Sequence, residues 1–163
     1  GGLCLQNWKR FEGNCTICNV DLYPALITAY FYLTTHGVPT QLVNPKNGEI
    51  KKNMVNLIVA HNADKLLDIV PKIDLVFNSH SLCEMGSETI STYFKFINLC
   101  SVKFFYHDNS NYLLFPNSER HIEIIGDDFP IDNNKFNLMS KYITPFTGGH
   151  GRHREYIYQS VHW

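Results

Sequence analysis

The chain of 163 residues lacks any apolar run long enough to span a bilayer, and its N-terminus lacks the basic-then-apolar order of a signal peptide. Neither a membrane span nor a secretory leader is therefore expected. An excess of charge of one sign is also missing. With 14 Lys and Arg against 15 Asp and Glu, the net charge is -1, which gives no reason to expect a nucleic-acid or acidic-membrane partner. Cysteine is odd in number, at positions 4, 15, 18, 83 and 100, and several of these lie in apolar runs. That pattern reads as reduced thiols in a cytoplasmic protein. Cys15-x-x-Cys18 has no second Cys-x-x-Cys to complete a zinc site, and a strand over residues 15–20 would point the two thiols to opposite faces. There is no internal repeat and no low-complexity segment.

What is present is a core. Hydrophobic residues make up 44% of the chain and aromatics 13%, enough for a globular fold, and the length predicts a single domain over residues 1–163. The most informative stretch is 73–85. Residues 73–77 are a nearly continuous apolar run, as in a strand buried on both faces. The run breaks into Asn78, Ser79, His80 and Ser81, followed by Glu84. A polar cluster at the C-terminal tip of a parallel strand is where α/β sheets hold ligands. The same Ser and Asn residues also suit a turn that merely caps the next helix.

Taken in order, residues 3–10 predict a short amphipathic helix opening directly on Gly1-Gly2, as if a phosphate-loop-like turn had been cut. Residues 14–20 predict a strand ending at Asp21, which lies 19 residues after Gly2. Nucleotide-binding α/β folds place a ribose-binding acid at about that distance, ~20 residues, beyond their glycine turn. Pro24 suits a helix start and Gly37 its stop, with Tyr30, Phe31, Tyr32 and Leu33 expected mostly in the core. Residues 39–53 read as an exposed connection with a small hairpin. Residues 54–60 predict a strand whose tip carries Asn62 and Asp64, with Asp64 equally suited to cap a short helix at 65–70. A helix is expected over 84–99, a strand over 102–106 ending in His107-Asp108-Asn109, and extended chain over 111–115. A strand over 122–125, a loop at 127–130, a short helix over 134–139, a glycine-rich basic loop at 148–154 and a final strand over 155–161 complete the pattern. Alternating strands and helices specify an α/β fold with a mostly parallel sheet and helices on both faces. The strand tips at Asp21, Asn62 and Asp64, residues 78–81 and Asp108 would then gather on one edge, with the glycine pair beside Asp21.

These residues resemble the second half of the motif set of class I S-adenosylmethionine-dependent methyltransferases, with a Rossmann-like fold. More closely, they resemble the sugar O-methyltransferases associated with bacterial surface polysaccharide clusters. The resemblance rests on Asn-Val-Asp-Leu-Tyr-Pro at 19–24, Asp-Leu-Val-Phe-Asn-Ser-His-Ser-Leu-Cys-Glu-Met at 74–85, Phe-Pro-Ile at 129–131 and Arg-His-Arg-Glu-Tyr-Ile-Tyr at 152–158. It implies a cytoplasmic enzyme that uses S-adenosylmethionine to methylate a hydroxyl of a sugar or glycan. It also implies a fragment, because the family's first strand and its Glu-x-Gly-x-Gly-like loop have no counterpart except Gly1-Gly2. By the same resemblance Gly1 and Gly2 pass the methionine part of the cofactor, Asp21 holds the ribose, and Asn62, Ala63 or Asp64 lie near the adenine. Asn78 and Ser79 flank the sulfonium. His80, Ser81 and Glu84 face the acceptor, joined by His150, Arg152 and His153 of the basic loop. His80 is the first choice of general base, since imidazole titrates near neutrality, and Glu84 the second, as base or as orienter of His80.

Three other readings remain open. A metal cluster of His150, His153 and His162 with Glu155 lacks a ligand motif, and no metal is expected from the sequence. A nicotinamide-dependent oxidoreductase would use a similar Gly-to-acid spacing, yet no Tyr-x-x-x-Lys is present. A non-catalytic remnant or nucleotide-sugar-binding domain would bind without turnover.

Overall fold

The computed structural model describes residues 1–44, 48–60, 72–111, 124–144 and 153–163. The chain divides into two compact units, Gly1–Val70 and Pro71–Trp163. Both are mixed α/β with parallel strand pairs, the class expected from the alternation of elements. Among the described residues no helix is long and apolar enough to cross a membrane.

The first unit contains helix α1 (Gly2–Arg10), strand β1 (Ile17–Asp21), helix α2 (Tyr23–Thr35) and strands β2 (Thr40–Leu42) and β3 (Val55–Val59). The strands lie in the order β1-β3-β2, all parallel, with Asp21 level with Val59. Val55 to Ile58 are buried because β3 is central. Cys4 and Leu5 of α1 pack with Leu26, Ala29 and Leu33 of α2 over Val55 and Leu57. Pro24 stands in the first turn of α2, and Gly37, at φ +74°, ends it with its N–H on the Thr34 carbonyl. Three expectations need correction. Cys15 precedes β1 instead of lying in it, while Cys18 is within it. Residues 40–42 join β3 as a parallel edge strand, so they form no hairpin. Phe31 and Tyr32 are exposed, because α2 turns only one side to the sheet, the side carrying Leu26, Ala29 and Leu33.

Asn56 is fully buried at the centre of this unit, and its amide has partners throughout. Its Oδ1 accepts from Gln41 Nε2 (2.6 Å) and Lys51 N–H (3.0 Å), and its Nδ2 donates to the carbonyls of Lys51 (3.0 Å) and Met54 (3.3 Å). A single side chain thus pins the connection before β3 to β2.

The second unit contains β4 (Lys72–Ser79), a 3-10 turn (Leu82–Glu84), helix α3 (Ser87–Leu99), β5 (Ser101–Ser110), a second 3-10 turn (Gly126–Asp128), β6 (Phe136–Ile143) and β7 (His153–Ser160). The strand order is β4-β5-β7-β6. The β4/β5 pair is parallel, and β7 runs antiparallel to both of its neighbours. Ile90, Phe94 and Ile97 of α3 meet Val102 and Phe105 of β5 as the core, with Phe94 edge-on to Phe105.

Here too the sequence reading is corrected. The run at 73–77 is the edge strand of its sheet, and no residue of β4 is buried. The helix expected over 84–99 begins at Ser87, because Met85 and Gly86 are extended and separate it from the turn at 82–84. β5 does not stop at Tyr106, since pairing with β7 carries it through His107, Asp108 and Asn109 to Ser110. Residues 136–139 are strand, not helix, because antiparallel pairing with β7 overrides the weak helical pattern. Residues 124–125 are not strand, and 127–128 form a 3-10 turn instead of an open loop. The expectations for 45–47, 62–70, 112–115, 122–123 and 148–152 lie outside the described residues.

Candidate functional site

The parallel β4/β5 pair places Asn78 beside His107 and Ser79 beside Asp108. After Ser79 the chain turns sharply. His80 adopts φ +64°, a left-handed conformation uncommon for a residue with a Cβ. Its N–H donates to the Asp108 carbonyl at 2.7 Å, which fixes the turn and folds the imidazole back over β5. His80 Nε2 then lies 2.9 Å from Asp108 Oδ2. Strain held in place by surrounding bonds is a feature of functional positions.

Asp108 is 5% exposed, and its second oxygen, Oδ1, accepts from Thr144 Oγ1 at 2.8 Å. Across the sheet Asp108 stands level with Glu155 of β7, and His153 two residues earlier shares its face. His153 Nδ1 comes to 3.6 Å from Asp108 Oδ1, too long for a hydrogen bond and an ion pair only when the imidazole is protonated, and has no hydrogen-bond partner among the described residues. The His153 and His80 rings lie 4.4 Å apart between centroids. The two imidazoles differ in exposure: the His153 side chain is 12% exposed, the His80 side chain 49%. Burial, reinforced by repulsion from His80, lowers the His153 pKa below its ordinary value, while Asp108 and Glu84 act against the shift. Among the described residues, His80, Asp108 and His153 form a set whose donor atoms all lie within 4.8 Å of one another, close enough to share a cation.

Asn78 and Ser81 hold the turn. Asn78 Nδ2 donates to Ser81 Oγ (2.6 Å), and its Oδ1 accepts from Leu82 N–H (3.3 Å) and Asn109 Nδ2 (3.0 Å). Asn109 Oδ1 in turn accepts from Cys83 N–H at 3.1 Å. For these two residues the turn-holding reading describes the bonds that are made. Ser79 and Glu84 are exposed on either side of the turn. Glu84 is near enough to His153 for its charge to act on that imidazole.

In the first unit Asp21 ends β1, exposed, with Oδ1 accepting from Leu22 N–H at 2.8 Å. Gly2 opens α1. Gly1 rests on the middle of α2, where an added Cβ would come within 3.0 Å of Tyr32 and 3.4 Å of Ala29. Gly1 is thus not drawn to the Asp21 end of that helix. Asn62, Ala63, Asp64, His150 and Arg152 lie outside the described residues. Sequence reasoning grouped His80 with Glu84 and His153 with the basic loop, but did not join the two imidazoles through Asp108. The available signal was an acid at the end of the apolar run 102–106; Thr144 gave none.

No model of a known protein family matches this chain, and no curated protein does. Among solved structures, it is similar to a candidate methylase from Haemophilus influenzae at 11% identity and a TM-score of 0.41, over 95% of this chain and 85% of the other.

Proposed function

We propose that this chain carries out S-adenosylmethionine-dependent O-methyl transfer, with a hydroxyl of a sugar or glycan as acceptor, in the cytoplasm. The observation that carries the reading is the strained His80, held against a buried Asp108 at the C-terminal end of a parallel strand pair. It supports an acceptor site there, because α/β sheets bind ligands at that end. The exposed carboxylate of Asp21 at the C-terminal end of β1 supports a ribose contact. In this reading Asn62, Ala63 or Asp64 lie near the adenine, and Asn78 and Ser79 by the sulfonium. Ser81, His150, Arg152 and His153 contact the acceptor.

Methyl transfer is an in-line displacement, so holding the hydroxyl against the methyl supplies much of the rate. A sugar hydroxyl is a weak nucleophile, and a base on the turn, His80 or Glu84, receives its proton. The test is calorimetric titration of S-adenosylhomocysteine into the chain, followed by transfer of labelled methyl groups to a panel of saccharides. Saturable binding with label in the saccharide is expected. No binding would refute the cofactor assignment, and binding without transfer would favour a non-catalytic nucleotide-sugar-binding domain.

A further inference from the structure

We infer that His80, Asp108 and His153 form a divalent-cation site. Atoms that share one ion at a bond length of about 2.1 Å lie roughly 3 to 4 Å from each other. The observed separations from Asp108 are 2.9 Å to His80 Nε2 and 3.6 Å to His153 Nδ1, one on each carboxylate oxygen; the three donors lie within 4.8 Å of one another, so the half-exposed His80 ring closes slightly onto the ion. The second of these distances carries the argument. A buried imidazole nitrogen faces a carboxylate without making a hydrogen bond, which costs free energy unless something else bonds that nitrogen. A cation placed between them satisfies both.

The surroundings fit a built site. Thr144 Oγ1 holds the Asp108 carboxylate in orientation, as outer partners of metal ligands do. The bond from His80 N–H to the Asp108 carbonyl fixes one ligand relative to another across β4 and β5. The half-exposed His80 leaves one side open, so three protein ligands would leave positions for water or a hydroxyl. Two nitrogens and one carboxylate suit zinc, manganese or ferrous iron better than magnesium or calcium, which take oxygen ligands.

The role of the ion rests on the methyl-transfer reading and deepens it. An acceptor hydroxyl bound in an open position loses its proton more readily. His80 then serves as ligand, and the proton passes to Glu84 on the adjoining turn. The oxygen's electron pair forms the C–O bond as the C–S bond of the sulfonium breaks, giving a methyl ether and S-adenosylhomocysteine.

The test is equilibrium dialysis of the chelator-stripped chain against Zn²⁺, Mn²⁺ and Mg²⁺ separately, with bound metal measured by elemental analysis. Retention of about one Zn²⁺ or Mn²⁺ per chain, with Mg²⁺ bound far more weakly, is expected. His80→Gln and His153→Gln should each remove that binding, and Thr144→Val should weaken it by about 10-fold or more. Circular dichroism checks the fold of each variant. If His153→Gln does not fold, the half-exposed His80 and Thr144→Val decide. No stoichiometric retention, or retention unchanged in His80→Gln, overturns the site. Dialysis requires neither cofactor nor acceptor. Metal bound without methyl transfer therefore counts against the proposed function alone, and transfer undiminished by chelation counts against the ion's role alone.

Discussion

His107 should make the second unit acid-labile in a definite window. Its side chain is fully buried, stacked 4.3 Å from Tyr156 and close to Phe129 (5.1 Å) and Phe105 (5.2 Å). Neither ring nitrogen has a hydrogen-bond partner among the described residues. Burial lowers its pKa from 6.5 to about 3, with Asp127 opposing the shift in part. Because the folded-state pKa is depressed, the unfolded chain takes up a proton below pH 6.5 that the folded chain refuses. Stability contributed by the neutral ring is therefore full above that pH and is lost as pH falls toward the folded pKa. Each pH unit in the window costs about 1.4 kcal/mol, so acidification to about pH 4.5 removes about 2–3 kcal/mol. That is a large part of a domain's typical ~5–15 kcal/mol. His107→Phe keeps the ring stack and abolishes the titration. Urea denaturation at about pH 7 and about pH 4.5 should show the variant losing about 2–3 kcal/mol less than the parent between the two. His153, also depressed by burial, contributes in both proteins and cancels. Asp127 contributes only below its ordinary 3.8, outside the window. Equal losses in parent and variant would show that His107 is hydrated or bonded in the folded state, and would refute the reasoning.

Other side chains make separate predictions. Asn56→Leu should cost the first unit about 1–2 kcal/mol in urea denaturation, because the bonds that the buried amide makes with Gln41 Nε2 and with the Lys51 N–H and carbonyl are lost together. Lys135 reaches back to the end of α3, its Nζ donating to the carbonyls of Asn98 (2.8 Å), Ile97 (3.3 Å) and Cys100. Lys135→Met should lower stability by about 1–2 kcal/mol, seen as a reduced Tm. Glu84→Gln, at an exposed position, should leave the fold intact and cut methyl transfer by about 10²- to 10⁴-fold. The same change should lower the His153 pKa further, since the Glu84 charge holds it up, and an NMR titration reads that shift.

The elements legible in the sequence are those whose signals are local. α1, β1, α2 and β3 announce themselves by apolar spacing together with Pro24 and Gly37, and each forms near its expected place. The misread ones are set by distant partners. β6 offers no strand alternation of its own; a bulge between Leu138 and Ser140 shifts its register, and its conformation is imposed by β7. His107-Asp108-Asn109 looks like a polar loop, yet pairing with β7 carries their backbone inside β5, the Asn78–Asn109 bond takes up the Asn109 amide, and the His107 ring is stacked among aromatics. Phe77 and Leu75 suggest a buried strand, but apolar composition does not tell an edge strand from a central one.

The candidate site follows the same division. The polar turn at 78–81 is visible as a composition break, and Asp108 as an acid closing an apolar run. The link between them and His153 is a matter of register. Asp108 stands level with Glu155, so His153 opposes Ser110 and falls on the Asp108 face. A slip of one residue between β5 and β7 would turn His153 to the opposite face and leave Asp108 with His80 alone. The register shift in this sheet lies between β6 and β7, so the β5/β7 pairing that sets the site remains continuous from Phe104 to Ser110. What holds that pairing is the aromatic stack of Phe105 and His107 with Tyr156 and Tyr158, side chains with no part in the proposed chemistry. Breaking the stack while keeping an apolar side chain in the core, as in Tyr158→Leu, should therefore weaken cation binding along with stability, although the ring partners of Tyr158 among the described residues are Phe105, His107 and Tyr156 and not the three ligands that we infer.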